Sequence, residues 1–416
     1  MKATLVIRNI CEMATPLGSS SRRGSDMGKV HVTADAAIAV NVETIVWAGP
    51  QSEMPRIEGP APEIIDAGGR AVIPGFVDSH THFVFAGFRD EEFFWRAGGL
   101  PYMEIHKRGG GIANTVRSTR SSSLEDLVAV GAPRLERMLE LGVTTVEGKS
   151  GYGLDSVTEL RQLEAMKILD ARQPVDIIGT FLGPHSIPPE FEGKPGAYID
   201  FVIRDVLPAV RRHGFASFCD VFCEQGVFGL DDSRRFLEAA ASSGFDLKMH
   251  ADEIVRLGGA GLAAALGATS ADHLLKASGE DLDAMAAAGV VATCLPVTAF
   301  ILREDYADAR GMIDRGLAVA LATDLNPGSC YSHSIPLAAA LGILYMRMSM
   351  EEVLTATTLN GAAALGLAAG RGSLEAGKLA DILILDAPSY RHIAYNVGMN
   401  VVGTVIKRGK VVSVRN

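Results

Sequence analysis

The chain has 416 residues, of which 48% are hydrophobic and 21% charged, and its formal net charge is -10. This is the composition of a folded globular protein, and the lack of any long basic block argues against nucleic acid as an obligatory partner. No segment approaches the roughly 20 apolar residues that a membrane-spanning helix requires, so we expect no membrane partner.

The cysteines give the expected compartment. Five of them are scattered along the chain, and the N-terminus lacks the charged and apolar pattern of a signal peptide. We therefore predict a reducing, cytoplasmic location. Cys219 and Cys223 are spaced to face one side of a strand, but no second cysteine or histidine pair lies nearby in sequence, which favours packing over metal binding.

Three segments follow one another along the chain. Residues 1–68 contain short apolar strands separated by turns, and residues 376–416 have the same texture. We expect both termini to contribute to one small composite β-sandwich domain. In the central segment, residues 69–375, apolar strands alternate with amphipathic helices, which is typical of a parallel α/β architecture.

Eight strand candidates in the central segment predict a closed (β/α)8 TIM barrel. In chain order they are AVIPGFVDSHTHF, VTTVEGKS, DIIGTFLGPHS, SFCDVFCE, DLKMHADE, ATSADHLL, VVATCLPV and AVALATDLNPGS. Between them, Ser122 with Glu125 and Ser156 with Glu159 have the spacing of helix capping boxes. Polar residues cluster at the strand ends, where such a barrel assembles its active site.

An H-x-H motif, His80 and His82, ends the first barrel strand. The strand period of two directs both imidazoles to the same side, where they can hold one metal, although an isolated H-x-H often has only a hydrogen-bonding role. His250 ends the fifth strand candidate and Asp324 the eighth, and barrel closure brings these ends together. We predict these four residues as ligands of Zn²⁺ or Fe, with room for a water.

A carboxylate for proton transfer follows the third histidine. Glu253 lies three residues after His250 in HADE, close enough to reach a metal-bound water without being a ligand. Asp252 is an equal alternative, because adjacency alone does not separate the two. His273, at the end of the sixth strand candidate, is expected to orient a substrate carbonyl or share proton transfer, with a structural histidine as the alternative. His106, in polar surroundings, is expected to be exposed rather than catalytic.

Several motifs together resemble the amidohydrolase superfamily. They are PGFVDSHTH, FLGPH, HADE, SADHL, ATDLNPGS and GSLEAGKLADILILD, and they cover nearly the whole chain in order. Within that superfamily, a second set closely resembles the imidazolonepropionase family of ring-opening hydrolases: HTHFVFAGFRDEEF, the GGGI at residues 109–112, EGKSGYGLD, TFLGPHSIPPEF, CDVFCEQGVF and DLNPGS.

The resemblance implies one Zn²⁺ or Fe ion per subunit, a homodimer, and no carboxylated lysine bridging two metals. Lys149 is accordingly expected to be structural or solvated. The resemblance also implies a set of substrate-binding residues: Arg89, Tyr152, His185, Glu253, Asn326, Gly328 and Ser329. Arg89 can grip a carboxylate in bidentate fashion, with a surface salt bridge to Asp90 or Glu91 as the alternative.

The expected substrate is a small anionic heterocycle. The resemblance implies hydrolysis of the cyclic amide of 4-imidazolone-5-propanoate to N-formimidoyl-L-glutamate in histidine degradation, through a metal-activated water, with Glu253, His273 and Asp324 as the catalytic residues. An aminohydrolase that releases ammonia from a related heterocycle is the enzymatic alternative. A non-catalytic binding protein built on a decayed barrel is a third possibility, and the presence of every proposed ligand and base disfavours it.

Overall fold

The computed structural model describes residues 1–100, 104 and 110–415. His106 and Gly109 lie outside the described residues. The strands are β1 Leu5–Pro16, β2 Val30–Asn41, β3 Thr44–Pro50, β4 Glu63–Pro74, β5 Phe76–Asp78, β6 Val143–Lys149, β7 Asp176–Phe181, β8 Ala216–Cys219, β9 Phe222–Cys223, β10 Asp246–Ala251, β11 Ser270–His273, β12 Val291–Cys294, β13 Ala318–Leu321, β14 Ile382–Leu385, β15 Val402–Lys407 and β16 Lys410–Val414.

The helices of the described residues lie mostly between the central strands. They are α1 Asp90–Ala97, α2 Ile112–Ser121, α3 Leu124–Glu140, α4 Ser156–Arg172, α5 Pro195–Phe201, α6 Leu207–His213, α7 Leu230–Ser242, α8 Gly259–Ala265, α9 Gly279–Ala288, α10 Pro296–Leu302, α11 Ala309–Asp314, α12 Ile335–Leu344, α13 Met350–Thr357, α14 Leu359–Ala363 and α15 His392–Tyr395. None of them is long and apolar enough to cross a membrane.

The central strands form a parallel barrel. Its order is β5, β6, β7, β8, β10, β11, β12 and β13, and the short β9 continues β8 along β10. The barrel closes between its first and last strands, where Asp324 N donates to His80 O at 3.0 Å and His82 N donates to Leu325 O at 2.8 Å. Strands such as β12 and β13 are buried along their whole length, because helices cover the outer face and packed side chains fill the interior.

Strands from both termini form a second sheet, in the order β16, β15, β14, β4, β1, β2 and β3. Its apolar side chains, including Ile7, Ile38, Ile382 and Ile406, make a core cluster separate from that of the barrel. Burial of this apolar area stabilises the sheet, since each fully buried side chain of this kind contributes roughly 1.5–3 kcal/mol. The predicted TIM barrel with a composite β-sandwich formed by both termini is confirmed.

The strand that joins the two units bears on the expected domain limits. The first expected boundary, between residues 68 and 69, falls inside β4, which pairs with β1 and β14 along its length. The strand candidate AVIPGFVDSHTHF therefore contains two strands, the end of β4 and then β5. We propose that the first boundary lies after Pro74 and keep the second, after residue 375, in the connection between α14 and β14.

Both predicted capping boxes are wrong by one residue. Ser123, not Ser122, caps α3, and its partner is Asp126. Asp155 caps α4 by accepting a hydrogen bond from Thr158 N, because a carboxylate directly before the first helical residue serves the exposed backbone N–H groups best. Glu159, which was predicted to take part in the cap, instead shapes a loop of the active site.

Candidate active site

The four residues predicted to hold a metal meet at the C-terminal ends of the barrel strands. His80 and His82 follow β5, His250 lies near the end of β10, and Asp324 follows β13. Asp324 Oδ1 lies 3.5 Å from His80 Nε2 and 3.7 Å from His82 Nε2. The ring centroids of His80 and His250 are 4.6 Å apart. The structure thus brings all four side chains to one place.

The histidine nitrogens at this place fit a metal ion. His80 Nε2, His82 Nδ1, His250 Nε2 and His273 Nε2 are all buried with no hydrogen-bond partner. Burying an unsatisfied polar group costs roughly 1–3 kcal/mol, so unpartnered nitrogens on four neighbouring imidazole rings favour a bound ligand. Burial lowers the pKa of His80, His82 and His250 well below the ordinary value, which leaves neutral rings with free lone pairs. With the carboxylate of Asp324, the donor set suits a divalent metal.

Further carboxylates and a hydroxyl hold these side chains in place. Asp272 Oδ2 lies 2.6 Å from His80 Nδ1. Asp220 Oδ2 lies 2.9 Å from His250 Nδ1, close but without hydrogen-bond alignment. Thr298 Oγ1 donates to Asp324 Oδ2 at 2.7 Å. None of these three supporting residues was predicted from the sequence. The only sequence signal for Asp272 is its place beside His273 in SADH.

Asp272 and Asp220 belong to a group of five ionised side chains inside the barrel, here called the core charge cluster: Glu147, Lys149, Asp220, Lys248 and Asp272. Every one of these side chains has no exposed surface. Of the two alternatives expected for Lys149, structural or solvated, the structural one is right. Its ammonium group is enclosed by three carboxylates and has no contact with solvent. Although burial lowers the pKa of Lys149, those carboxylates raise it above the ordinary value.

The backbone is strained where three site residues leave their strands. Asp252 has φ 50°, His273 has φ 76° and Asp324 has φ 56°, all in the left-handed region that side chains other than glycine seldom adopt. Each such residue costs on the order of 1–3 kcal/mol, and such residues cluster at functional sites. The strain marks the ends of β10, β11 and β13 as the places where side chains are re-aimed.

The two carboxylates of HADE have separate surroundings. Asp252 is fully buried and accepts hydrogen bonds from the backbone N–H groups of Leu257, Gly258 and Ala260, at 2.7–2.9 Å. Its oxygens are thus occupied in shaping the following loop. Glu253 instead lines the cavity, and burial, followed by the negative charge of Asp324, raises its pKa to about 8.

His273 lies beside Glu253. Its Nδ1 is 3.5 Å from Glu253 Oε1, and its ring centroid is 5.0 Å from that of His250. Burial lowers the pKa of His273 to about 4. The ring therefore connects the carboxylate at the cavity wall with the histidines below it.

A cavity of about 650 Å³ opens above the four candidate ligands, and its wall includes His82, His250 and Asp324. This is the size of a pocket for a small molecule. All residues expected to bind substrate line it: Arg89, Tyr152, His185, Glu253, Asn326, Gly328 and Ser329.

Arg89 is held in a fixed orientation at the cavity wall. Its Nε and Nη2 donate to Glu92 Oε2 at 3.0 and 2.7 Å, and the other oxygen of Glu92 accepts from Gly111 N. The alternative of a surface salt bridge with Asp90 or Glu91 is wrong, since the partner is the buried Glu92. A Cβ atom at Gly328 would collide with Arg89 Nη1, so glycine there leaves room for the guanidinium.

Glu159 holds the loop that carries Tyr152 through hydrogen bonds to its backbone. This buried carboxylate accepts from Gly151 N, Gly153 N and Leu154 N at 2.8–3.0 Å. Burial raises the pKa of Tyr152, so its hydroxyl stays protonated and can donate. His185 stacks on His82 with centroids 4.9 Å apart, and burial lowers its pKa to about 4.

Asn326 shapes the loop after Asp324. Its Oδ1 accepts from Gly328 N and Ser329 N, each at 2.8 Å, and its Nδ2 donates to Asp324 O and Ser329 Oγ. The loop is thereby wrapped around one amide side chain.

The sequence was compared with known families and proteins. It matches the model of the amidohydrolase family over residues 71–412. It is 53% identical to an imidazolonepropionase of Parabacteroides distasonis, over 98% of each chain. It is 51% identical to an imidazolonepropionase of Clostridium tetani, over 99% of this chain and 98% of that one.

Solved structures share the fold at lower identity. One is an adenosine deaminase from Xanthomonas campestris with bound zinc, at 19% identity and a TM-score of 0.71, covering 99% of this chain and 93% of that one. Another is a 5-methylcytosine deaminase from Klebsiella pneumoniae, at 19% identity and a TM-score of 0.74, covering 99% and 98%. These likenesses concern the fold, whereas the full-length relatives place the sequence more narrowly. The chain belongs to the amidohydrolase family and, within it, to the imidazolonepropionases.

Proposed function

We propose that the protein hydrolyses the cyclic amide bond of 4-imidazolone-5-propanoate and releases N-formimidoyl-L-glutamate, a step in histidine degradation. The observation that carries the proposal is one cavity that joins a metal-suited histidine cluster to a partly buried, oriented arginine. A cyclic amide with a carboxylate side chain needs both features. Relatives about half identical over their full length bear the matching name.

His80, His82, His250 and Asp324 are the proposed ligands, and they would hold one ion. Bound there, Zn²⁺ or Fe would supply Lewis-acid activation of water and of the ring carbonyl. Asp324 is held for this role by a neighbouring hydroxyl. Thr298 donates to its Oδ2, so its Oδ1 is left to face His80 and His82.

Glu253 is the proposed proton carrier. Its carboxylate accepts the proton of the attacking water and then delivers a proton to the departing ring nitrogen, as the carbon–nitrogen bond of the amide breaks. Burial, followed by the charge of Asp324, raises the pKa of this carboxyl above its ordinary value. His273 lies beside Glu253, and its Nε2 is buried without a partner. In this proposal its Nε2–H tautomer would donate to the carbonyl oxygen as negative charge develops there.

Arg89 is the proposed anchor for the propanoate group. Glu92 occupies its Nε and Nη2, so Nη1, which lies over Gly328, is left to face a substrate carboxylate. Tyr152 adds a hydroxyl donor, while His185 and the 326–329 loop complete the wall. Because Arg89 and the histidine cluster line the same cavity, the pocket would favour heterocycles with an acidic side chain.

The test is steady-state consumption of freshly generated 4-imidazolone-5-propanoate by purified, metal-assayed protein, followed by ultraviolet absorbance. We expect N-formimidoyl-L-glutamate as the product and no ammonia. Ammonia release would instead favour an aminohydrolase acting on a related heterocycle. The same metal analysis distinguishes zinc from iron, and light scattering checks the proposed homodimer against twice the 44.0 kDa mass of the chain.

A further inference from the structure

The two lysines of the core charge cluster differ in what they contact. Lys149 Nζ lies 2.7 Å from Asp220 Oδ2 and 3.4 Å from Asp272 Oδ2. Lys248 Nζ lies 2.8 Å from Glu147 Oε2 and only at 4.0 Å from Asp272 Oδ2. Within the described part of the chain, Lys149 is the one cation that contacts both aspartates.

Each of these aspartates contacts a different proposed metal ligand. Asp272 contacts His80 Nδ1 at 2.6 Å, and Asp220 contacts His250 Nδ1 at 2.9 Å. Asp220 Oδ1 also accepts from the backbone N–H of His250 at 3.1 Å. One ammonium group is therefore linked, through two carboxylates, to two imidazoles whose Nε2 atoms are both buried without a partner.

We propose that Lys149 is a positioning residue that aims His80 and His250 at a common point by bracing Asp272 and Asp220. This inference rests on the metal site proposed above. The physical reason is that two carboxylates touching one cation attract it but repel each other, and both forces are strong inside a protein. Without the ammonium, the carboxylates separate, which alters the contact of Asp272 with His80 Nδ1 and the contacts of Asp220 with the backbone N–H and ring of His250.

A purely structural role makes a different prediction. If Lys149 only neutralises buried charge, then removal of Lys248, an equally buried ammonium of the same cluster, should affect the metal site equally. The bracing role predicts a difference, because only Lys149 contacts both of the aspartates that reach the histidines. Lys149→Met and Lys248→Met are therefore matched variants.

The experiment measures Zn²⁺ affinity of the full-length protein by competition with a chromogenic chelator, and the visible absorption spectrum of the Co²⁺-loaded protein. Thermal unfolding of the metal-free variants records stability separately. We expect Lys149→Met to weaken Zn²⁺ binding about 10- to 100-fold and to alter the cobalt bands. Lys248→Met is expected to lose comparable stability while keeping both the affinity and the spectrum close to those of the wild type.

Equal affinity of Lys149→Met and wild type, or equal losses in the two variants, would overturn the bracing role. If Lys149→Met does not fold, Lys149→Gln replaces it, since the amide can donate to one aspartate but cannot bridge both by charge, and the same loss is expected. A wild-type protein that binds no Zn²⁺ or Co²⁺ would contradict the proposed metal site itself, and with it this inference. Metal binding by the wild type and unchanged binding by the variant would contradict this inference alone.

Discussion

Two groups of paired charges lie at opposite ends of the barrel strands. The core charge cluster supports residues at the C-terminal ends. The other group, here called the junction cluster, lies where the N-terminal end of β7 meets the terminal sheet, and it contains Asp176, Arg371, Asp381, Lys407 and Arg408. Both groups pair lysines or arginines with aspartates at similar distances.

The two clusters differ in what remains unsatisfied. The aspartates of the core charge cluster contact histidines that have nitrogens without hydrogen-bond partners. Among the described residues, every buried polar side-chain atom of the junction cluster has a partner. The carboxylate of Asp176 accepts hydrogen bonds from Lys407, Arg371 and Arg408. Similar ion pairs can thus either hold the residues of a ligand site in position or stabilise the contact between two parts of the fold. In a barrel of this kind, function belongs to the C-terminal ends and stability to the N-terminal ends.

The largest effect on turnover is expected from Glu253→Gln, at the functional end. The amide keeps the shape of the side chain but cannot carry the proton, so kcat should fall about 100- to 10,000-fold. Bound metal and the unfolding temperature should stay unchanged. Steady-state kinetics with metal analysis measure both.

Glu304→Gln is the matched control, because Glu304 is an exposed carboxylate on the same cavity wall. Its kcat should stay near that of the wild type. Near-normal turnover by Glu253→Gln would remove Glu253 from the proton-transfer role.

A smaller effect is expected from Arg89→Met, which removes the proposed carboxylate anchor. Hydrogen bonds to charged groups contribute about 1.5–3 kcal/mol, so kcat/KM should fall on the order of 10- to 100-fold, mainly through KM. Arg89→Lys should recover part of the loss, since a point charge remains without the planar fork. An unchanged KM in Arg89→Met would show that the propanoate binds elsewhere.

At the junction, Asp176→Asn should affect stability without affecting chemistry. Breaking a buried ion pair costs at most about 3–5 kcal/mol, and here three cations lose their shared partner. Denaturant unfolding should report the loss while kcat stays at the wild-type value. Asp205→Asn, which breaks an exposed pair with Arg204, should leave the midpoint of denaturant unfolding close to that of the wild type, because solvent screens this pair. A loss of kcat in Asp176→Asn would break the contrast between the two ends.

The smallest expected effect is on the pH dependence of the difference in stability between the wild type and Asp176→Asn. Burial raises the pKa of Asp176, but Lys407 and Arg371 lower it more, and the net result lies below its ordinary value of 3.8. A carboxyl whose folded-state pKa is depressed stabilises the fold above its unfolded pKa, and this contribution is lost as the pH falls through the folded-state pKa. The difference in unfolding free energy between wild type and Asp176→Asn should therefore be constant above about pH 5, roughly one unit above the unfolded-state pKa, and should narrow below about pH 4. A gap that widens with acid would contradict the ion-pair account.

Much of the fold was predictable, because its signals are local. Eight strand candidates appear as eight barrel strands, and the HxH motif, His250 and Asp324 are the final polar residues of apolar runs. The supporting residues were not predictable, because they depend on contacts across the barrel. Asp272 and His80 are 192 positions apart, and no local pattern connects them.

Strand alternation also fails at the place where it matters most. Asp272 and His273 are neighbours, so a regular strand would direct them to opposite faces. His273 instead leaves β11 with φ 76°, and both side chains approach His80. Similarly, the spacing could not show that Glu92 would hold Arg89, since Asp90 and Glu91 are equally close in sequence and only the packing of α1 selects among them.

The most direct test of the central claim is a metal titration of metal-free protein, with the rate of N-formimidoyl-L-glutamate formation as the readout. The proposed ligands are His80, His82, His250 and Asp324, and the last three of them lie in the wall of one cavity. We predict that the rate rises linearly with added Zn²⁺ or Fe²⁺ and reaches a plateau at one ion per chain. Full turnover by metal-free protein, or a plateau only at two ions per chain, would contradict the account.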